Sequence, residues 1–318
     1  MRLATLNDRT PDGRLVVVAP DGAHCALAPV ATLQQALDAW PTAREALGAI
    51  TRFPDALDES RLRAPLPRAW QWLDGSTFPS HGTLMAKAFG REAEWSDIPL
   101  MYQGLSDRFI DPRGDVDLPD EAHGIDFEGE FGVITGPVPM GVTAGDAARC
   151  IALVVQINDW SLRNLAAREM KTGFGWIHAK PASSMAPFAI TPDELGAGWR
   201  DHRVALDLEV EWNGEPFGHP NGAAMGFGFD QLIAHAAATR HLPAGTIIGS
   251  GTVSNPDFRE VGSTCVAERR GIEMVDHGAA RTGYLKFGDR VRMSARAADG
   301  RRPFGAIDQR VVAASRPA

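Results

Sequence analysis

Cysteine is scarce in this chain. Cys25, Cys150 and Cys265 are odd in number and widely spaced, with no CxxC pair. That excludes a disulfide framework and offers no zinc–thiolate spacing, so reduced thiols are expected. Long apolar runs are lacking too, and none approaches the roughly 20 residues that a membrane span needs. The opening segment MRLATLNDRT carries no apolar signal stretch, so a cytoplasmic protein without membrane attachment is expected. Positive charge is not in excess. With 32 Lys and Arg against 40 Asp and Glu, the net charge of -8 argues against nucleic acid or an anionic membrane as partner. There is no repeat, no low-complexity tract, no GxGxxG and no P-loop, so nucleotide-dependent chemistry is not indicated.

What remains is an ordinary globular composition. Of 318 residues, 44% are hydrophobic and 23% charged, enough for one large domain or two. Thirty-three glycines and 22 prolines punctuate short apolar runs, which predicts a mainly β, α+β fold rather than a helix bundle. Residues 1–67 read as a small N-terminal domain: a β-rich run at Leu15–Ala19, a turn at Pro20-Asp21-Gly22, and helical spacing over Leu33–Leu47. The extended linker RLRAPLP ends it. Residues 68–318 form the second unit. Strands are expected at Val133–Ile134, Ile151–Ile157, Val204–Trp212, Thr246–Ser250 and Arg290–Ala295, and helices at about 82–89, 161–169 and 229–239.

Acidic groups stand where strands should be apolar. Glu128 and Glu130 are two apart, on one face of an extended chain, and Ile125, Phe127, Phe131, Val133 and Ile134 crowd them. Asp159 follows Ile151–Ile157, the most apolar run in the chain. A solvated outer face for the glutamates and a helix N-cap for Asp159 are the plain alternatives. Together the three fit a hard cation such as Mg²⁺ or Ca²⁺, which takes oxygen ligands. In WLDGSTFPSH, Asp74 and His81 read as members of one loop, either a turn Asp with a surface His or a fourth oxygen ligand with a general base. Lys180, in WIHAKPASS, either snorkels to water or sits as a cation beside the carboxylates. GSGTVSN, Gly249 to Asn255, is a tight turn or a ring of N–H groups around a negative oxygen.

These blocks, with PLMYQGLSDRF, IDFEGEFGVITG, QINDWSLRN and GSTCVAERR, resemble the fumarylacetoacetate hydrolase family in its bacterial branch. The resemblance covers nearly all of residues 68–310 and extends loosely to the N-terminal unit. It implies a mixed β-roll with a small N-terminal domain, usually a homodimer. It implies Mg²⁺ (or Mn²⁺ or Ca²⁺) held by Asp74, Glu128, Glu130 and Asp159. His81 becomes the base that activates water and Glu268 the acid that orients it. Lys180 belongs to the metal-site network, Tyr102 and Arg163 lie near metal and substrate, and the Gly251-Thr252 turn contacts substrate oxygen. The arginine that grips a distal carboxylate in this family has no clear counterpart. Lys87, Arg91, Gln103 and Arg108 are the candidates in a distal wall drawn from residues 82–123.

The chemistry implied is hydrolysis of a carbon–carbon bond in a 1,3-diketo acid, fumarylacetoacetate or a related acylpyruvate. Water activated by His81 attacks a carbonyl, and the carbanion leaves as a metal-bound enolate. A hydratase or decarboxylase acting on a short 2-keto acid is the alternative, and a protein whose cation only secures the fold is a second.

Overall fold

The computed structural model describes residues 1–92 and 96–315. Residues 93–95 of the expected distal wall and 316–318 of the expected second unit lie outside the described residues. Two sheets organise the chain. The larger has eleven strands, in the order Asp55–Ala56, His24–Leu27, Arg14–Val18, Arg2–Leu6, Ala189–Ile190, Ile151–Asn158, Gly129–Thr135, Thr246–Gly249, Gln71–Ser76 and Leu100–Gly104, with Ser184–Met185 beside Ile151–Asn158. Its pairings are antiparallel except Thr246–Gly249 with Gln71–Ser76, which is parallel. The second sheet has five strands centred on Asp207–Trp212 and Arg290–Arg296.

The run Ile151–Ile157 is apolar at every step but Gln156 because both faces of its strand are covered. Val154 joins one hydrophobic cluster, with Phe131, Val133 and Phe127. Leu153, Val155 and Ile157 join the other, with Trp72, Phe109 and Met185. A half-solvated strand would alternate instead. Residues 1–67 share this sheet and this core. Arg2–Leu6 pairs with Ala189–Ile190, and Leu3, Leu15, Leu33, Leu37 and Leu47 pack in the cluster that holds Trp72.

The predicted strands form, with one interruption. Val204–Trp212 breaks into Arg203–Val204 and Asp207–Trp212, the latter keeping its alternation with Leu208 and Val210 buried. The predicted loop from Asp74 to His81 is corrected. Asp74 lies within the strand Gln71–Ser76, and His81 sits in the first turn of the helix Pro79–Ala88. Pro79 starts that helix because its fixed φ suits the first turn and its missing N–H costs nothing there. Asp159 caps no helix. The chain after it forms a two-residue strand, Ser161–Leu162, and the helix begins at Arg163 with Leu162 before it. Among the described residues no helix is long and apolar enough to cross a membrane, and the three cysteines are free.

Where strands must nearly touch, glycine is required. A Cβ added at Gly249 would lie 2.3 Å from Asp74 Oδ1 and 2.3 Å from the Trp72 ring, both buried. Gly249→Ala is therefore expected to cost about 1–3 kcal/mol through overpacking. Urea unfolding measures it, and an unchanged midpoint would contradict this packing.

Candidate metal centre and its cavity

Sheet register brings the acids together. Tyr102 stands opposite Asp74, Asp74 opposite Gly249, and Gly249 opposite Gly132. Glu130 is two residues before Gly132 and faces Ile157. Directly paired residues share a face, and side chains alternate along each strand. Tyr102, Asp74 and Glu130 thus project to one side, and the bare backbones of Gly249 and Gly132 let Asp74, Trp72 and Ile157 pack over them. Asp159, just past the strand Ile151–Asn158, is tied in by its N–H, which donates to the Glu128 carbonyl at 2.9 Å.

Oxygens of Asp74, Glu130 and Asp159 lie within 4.8 Å of one another. The residues are 3%, 0% and 1% exposed, which leaves water little part in separating their charges. Both carboxylate oxygens of Glu130 are buried with no hydrogen-bond donor apart from the Asp74 carboxyl, which can pair with it only while the two share a proton. Burial, and then the neighbouring Asp159, pushes Asp74 up to about 8. Burial and Asp74 push Glu130 well above the usual carboxylate range. Three crowded oxygens with an orphaned glutamate fit a hard divalent cation, which would replace the protons the cluster otherwise keeps.

Asp159 is better supplied with donors. The Tyr102 hydroxyl donates to it at 2.6 Å, the Ser183 hydroxyl at 2.6 Å and Lys180 Nζ at 2.5 Å. Glu128 stands apart from the trio, one lysine away. Lys180 donates to it at 2.6 Å and Ser161 at 2.5 Å, the Thr252 hydroxyl donates to its other oxygen, and Arg163 lies 3.1 Å off. Burial alone would raise Glu128, but Arg163 and Lys180 outweigh it and hold the carboxyl far below its ordinary range. Burial would likewise lower Lys180, and Asp159 with Glu128 reverses that, so the lysine stays charged.

A cavity of about 350 Å³ opens onto this cluster, lined by Asp74, His81, Tyr102, Glu128, Arg163, Lys180, Gly251 and Thr252 among others. Glu130, Asp159 and Glu268 do not line it. His81 Nδ1 lies 3.4 Å from Glu268 Oε1, off the line of a hydrogen bond. Glu268 is fully buried in the first turn of the helix Val266–His277, and Ser254 and Ser263 donate to it at 2.5 and 2.7 Å. Cys265 also approaches, its sulfur within 4.8 Å of His81 and Glu268 ligand atoms.

Sequence reading missed Asp126. Its oxygens accept from the backbone N–H groups of Val266 at 2.7 Å and Ala267 at 2.9 Å, and from Arg163 Nε at 2.7 Å. One buried carboxylate thereby fixes the helix that carries Glu268 and the arginine that faces Glu128. The signal was present, since Asp126, Glu128 and Glu130 repeat at a spacing of two. The cavity wall was read only in part, since Leu100 and Met101 fall within the expected stretch 82–123 but its four polar candidates do not line the cavity. Lys87, Arg91, Gln103 and Arg108 are all exposed, and none lines the cavity. Leu100, Met101, Met170 and Trp176 line it instead.

Residues 71–312 match the family described as fumarylacetoacetate (FAA) hydrolase C-terminal, and residues 1–68 match fumarylacetoacetase N-terminal domain 2. The chain belongs to the fumarylacetoacetate hydrolase family. It is 27% identical over 157 residues to a 2,4-didehydro-3-deoxy-L-rhamnonate hydrolase of Sphingomonas sp. (strain SKA58), a match covering 48% of this chain and 52% of that one. It is 25% identical over 206 residues to the oxaloacetate tautomerase YisK of Bacillus subtilis, covering 64% and 65%. The chain thus spans about half to two thirds of these relatives. A maleylpyruvate hydrolase of Sphingobium sp. SYK-6, solved with manganese(II) and pyruvate, shares the fold with a TM-score of 0.68 at 17% identity, over 99% of this chain and 100% of that one.

A pH dependence follows from Asp74. Its folded value of about 8 lies above its ordinary 3.8, so the folded state keeps a proton that the unfolded chain has released. That contribution to stability is full below the unfolded value and is lost as pH rises through the folded one. In chelator, the wild type should lose thermal stability relative to Asp74→Asn between about pH 5 and 9, and Mg²⁺ should restore more of it at the alkaline end. A wild type that gains on the variant across that range would contradict the assignment.

Proposed function

We propose that the protein is a divalent-metal-dependent hydrolase that cleaves the carbon–carbon bond of an acylpyruvate-type 2,4-diketo acid. The observation that carries this reading is the buried trio of Asp74, Glu130 and Asp159, with Glu130 unpartnered, beside a cavity that also receives His81. Asp74, Glu130 and Asp159 would hold Mg²⁺, or Mn²⁺ or Ca²⁺, with Glu128 alongside. The cation would supply Lewis-acid polarisation of the keto oxygens.

The rest falls to the chain's own side chains. Glu268 Oε1 faces His81 Nδ1, which favours the proton on Nδ1 and leaves Nε2 free to take one from water. Hydroxide adds to the distal carbonyl carbon, and the bond from that carbon to the methylene breaks. His81 returns the proton to the methylene carbon, so one water is consumed, and a carboxylic acid and pyruvate are released. Lys180, held by Glu128 and Asp159 at the cavity wall, places positive charge near the oxygens where negative charge develops. The maleylpyruvate hydrolase with the same fold is consistent with this direction.

Tautomerisation is a second reading, favoured by the likeness to YisK, and it requires only a proton moved between carbon and oxygen. The assay that separates them follows enol absorbance and pyruvate together, with Mg²⁺ present. Hydrolysis gives one pyruvate per enol lost. Spectral change without pyruvate would replace it with tautomerisation. His81→Ala should lower turnover by about 10²–10⁴-fold while the Mg²⁺-induced thermal shift persists. Near-wild-type turnover in that variant would remove His81 from the mechanism.

A further inference from the structure

Resting on the keto-acid reading, we infer that the substrate bears one carboxylate, at its keto-acid end, and a neutral apolar tail. Depth in the cavity can be read from exposure. Asp74 and Glu128 are 3% and 7% exposed, whereas Leu100 and Met170 are 61% and 66% exposed. The acids form the floor and the apolar side chains the rim. A keto acid anchored at the floor therefore sends its tail outward past Phe78, Leu100, Met101, Met170 and Trp176. The Trp176 ring packs edge-on against Tyr102, centroids 6.2 Å apart, which ties this wall to a residue bonded to Asp159.

A second carboxylate would find no lysine or arginine on that path among the described residues beyond the floor. Among the described lining residues, Arg163 and Lys180 are the only arginine and lysine. Arg163 donates through Nε to Asp126 at 2.7 Å and its Nη2 lies 3.1 Å from Glu128 in an ion pair without a hydrogen bond, deep at the floor, while Lys180 donates to Glu128 at 2.6 Å and Asp159 at 2.5 Å. Turning either toward a tail would strip a buried carboxylate of its counter-charge. His81, its Nδ1 3.4 Å from the buried Glu268 carboxylate, is the base of the proposed reaction rather than an anchor for an anion. A tail carboxylate would thus meet apolar side chains and solvent but no counter-charge, whereas a neutral tail would gain apolar contact.

The test uses two six-carbon keto acids on the Mg²⁺-loaded protein, 2-oxohexanoate and 2-oxoadipate, with binding read by calorimetry. The methyl-ended acid should bind about 10- to 100-fold tighter, the range over which apolar pockets discriminate. Met170→Arg, an exposed site at the end of the helix Arg163–Met170, should narrow or reverse that ratio. Equal or tighter binding of 2-oxoadipate, in a preparation that still cleaves acylpyruvates, would overturn this inference and leave the hydrolase reading standing. Failure of both acids to bind, with no acylpyruvate consumed, would overturn both.

Discussion

Buried negative charge in excess of its counter-charge is the constraint on which this structure turns. Asp74, Asp126, Glu128, Glu130 and Asp159 are all buried, and Arg163 and Lys180 are the cations paired with them. Five acids against two bases leave three charges uncompensated if every acid ionises. The two cations are shared among Asp126, Glu128 and Asp159, which leaves one charge of the deficit there and two on Asp74 and Glu130. Burial and crowding push both upward, Asp74 to about 8, and burial raises Asp126 as well despite its arginine. Buried charge at this density is tolerated only when protons or a cation neutralise it. A divalent ion reduces three to one, and the orphaned oxygens of Glu130 mark where it would bind.

The fold serves that arrangement through close approach. Strands separated in sequence are brought edge to edge, and glycine at 249 and 132 makes the room that Asp74, Trp72 and Ile157 occupy. The second sheet and the helix Val266–His277 close the other side. Asp126 joins the helix and the metal region in one contact set, because the same carboxylate that receives two N–H groups of the helix's first turn also receives Arg163. A carboxylate at that end is favoured by the helix dipole as well as by the hydrogen bonds. His81 and Glu268 then meet across two helices whose starts are independently fixed.

Much of this was legible in the chain. Ile151–Ile157 stood out because both of its faces are covered, and Glu128, Glu130 and Asp159 stood out as charges embedded in apolar runs. The ordered blocks were enough to point to the family. Asp74 was harder to place, since Asp-Gly-Ser reads as a turn, and only its pairing with Thr246–Gly249 and Leu100–Gly104 makes it a strand. The helix Val266–His277 escaped notice because Cys265 occupies the capping position where Ser or Thr would have announced it. The rest of the cavity wall was illegible for a different reason: which of many surface residues faces inward depends on how helix and loop cross the mouth, and no local spacing encodes that.

The most direct measurement is Mn²⁺ binding followed by electron paramagnetic resonance, on the wild type and on Glu130→Gln. The account predicts one tightly bound ion per wild-type chain, and its loss or marked weakening when the unpartnered carboxylate becomes an amide. Unchanged stoichiometry and affinity in the variant, or no bound ion in the wild type, would contradict it.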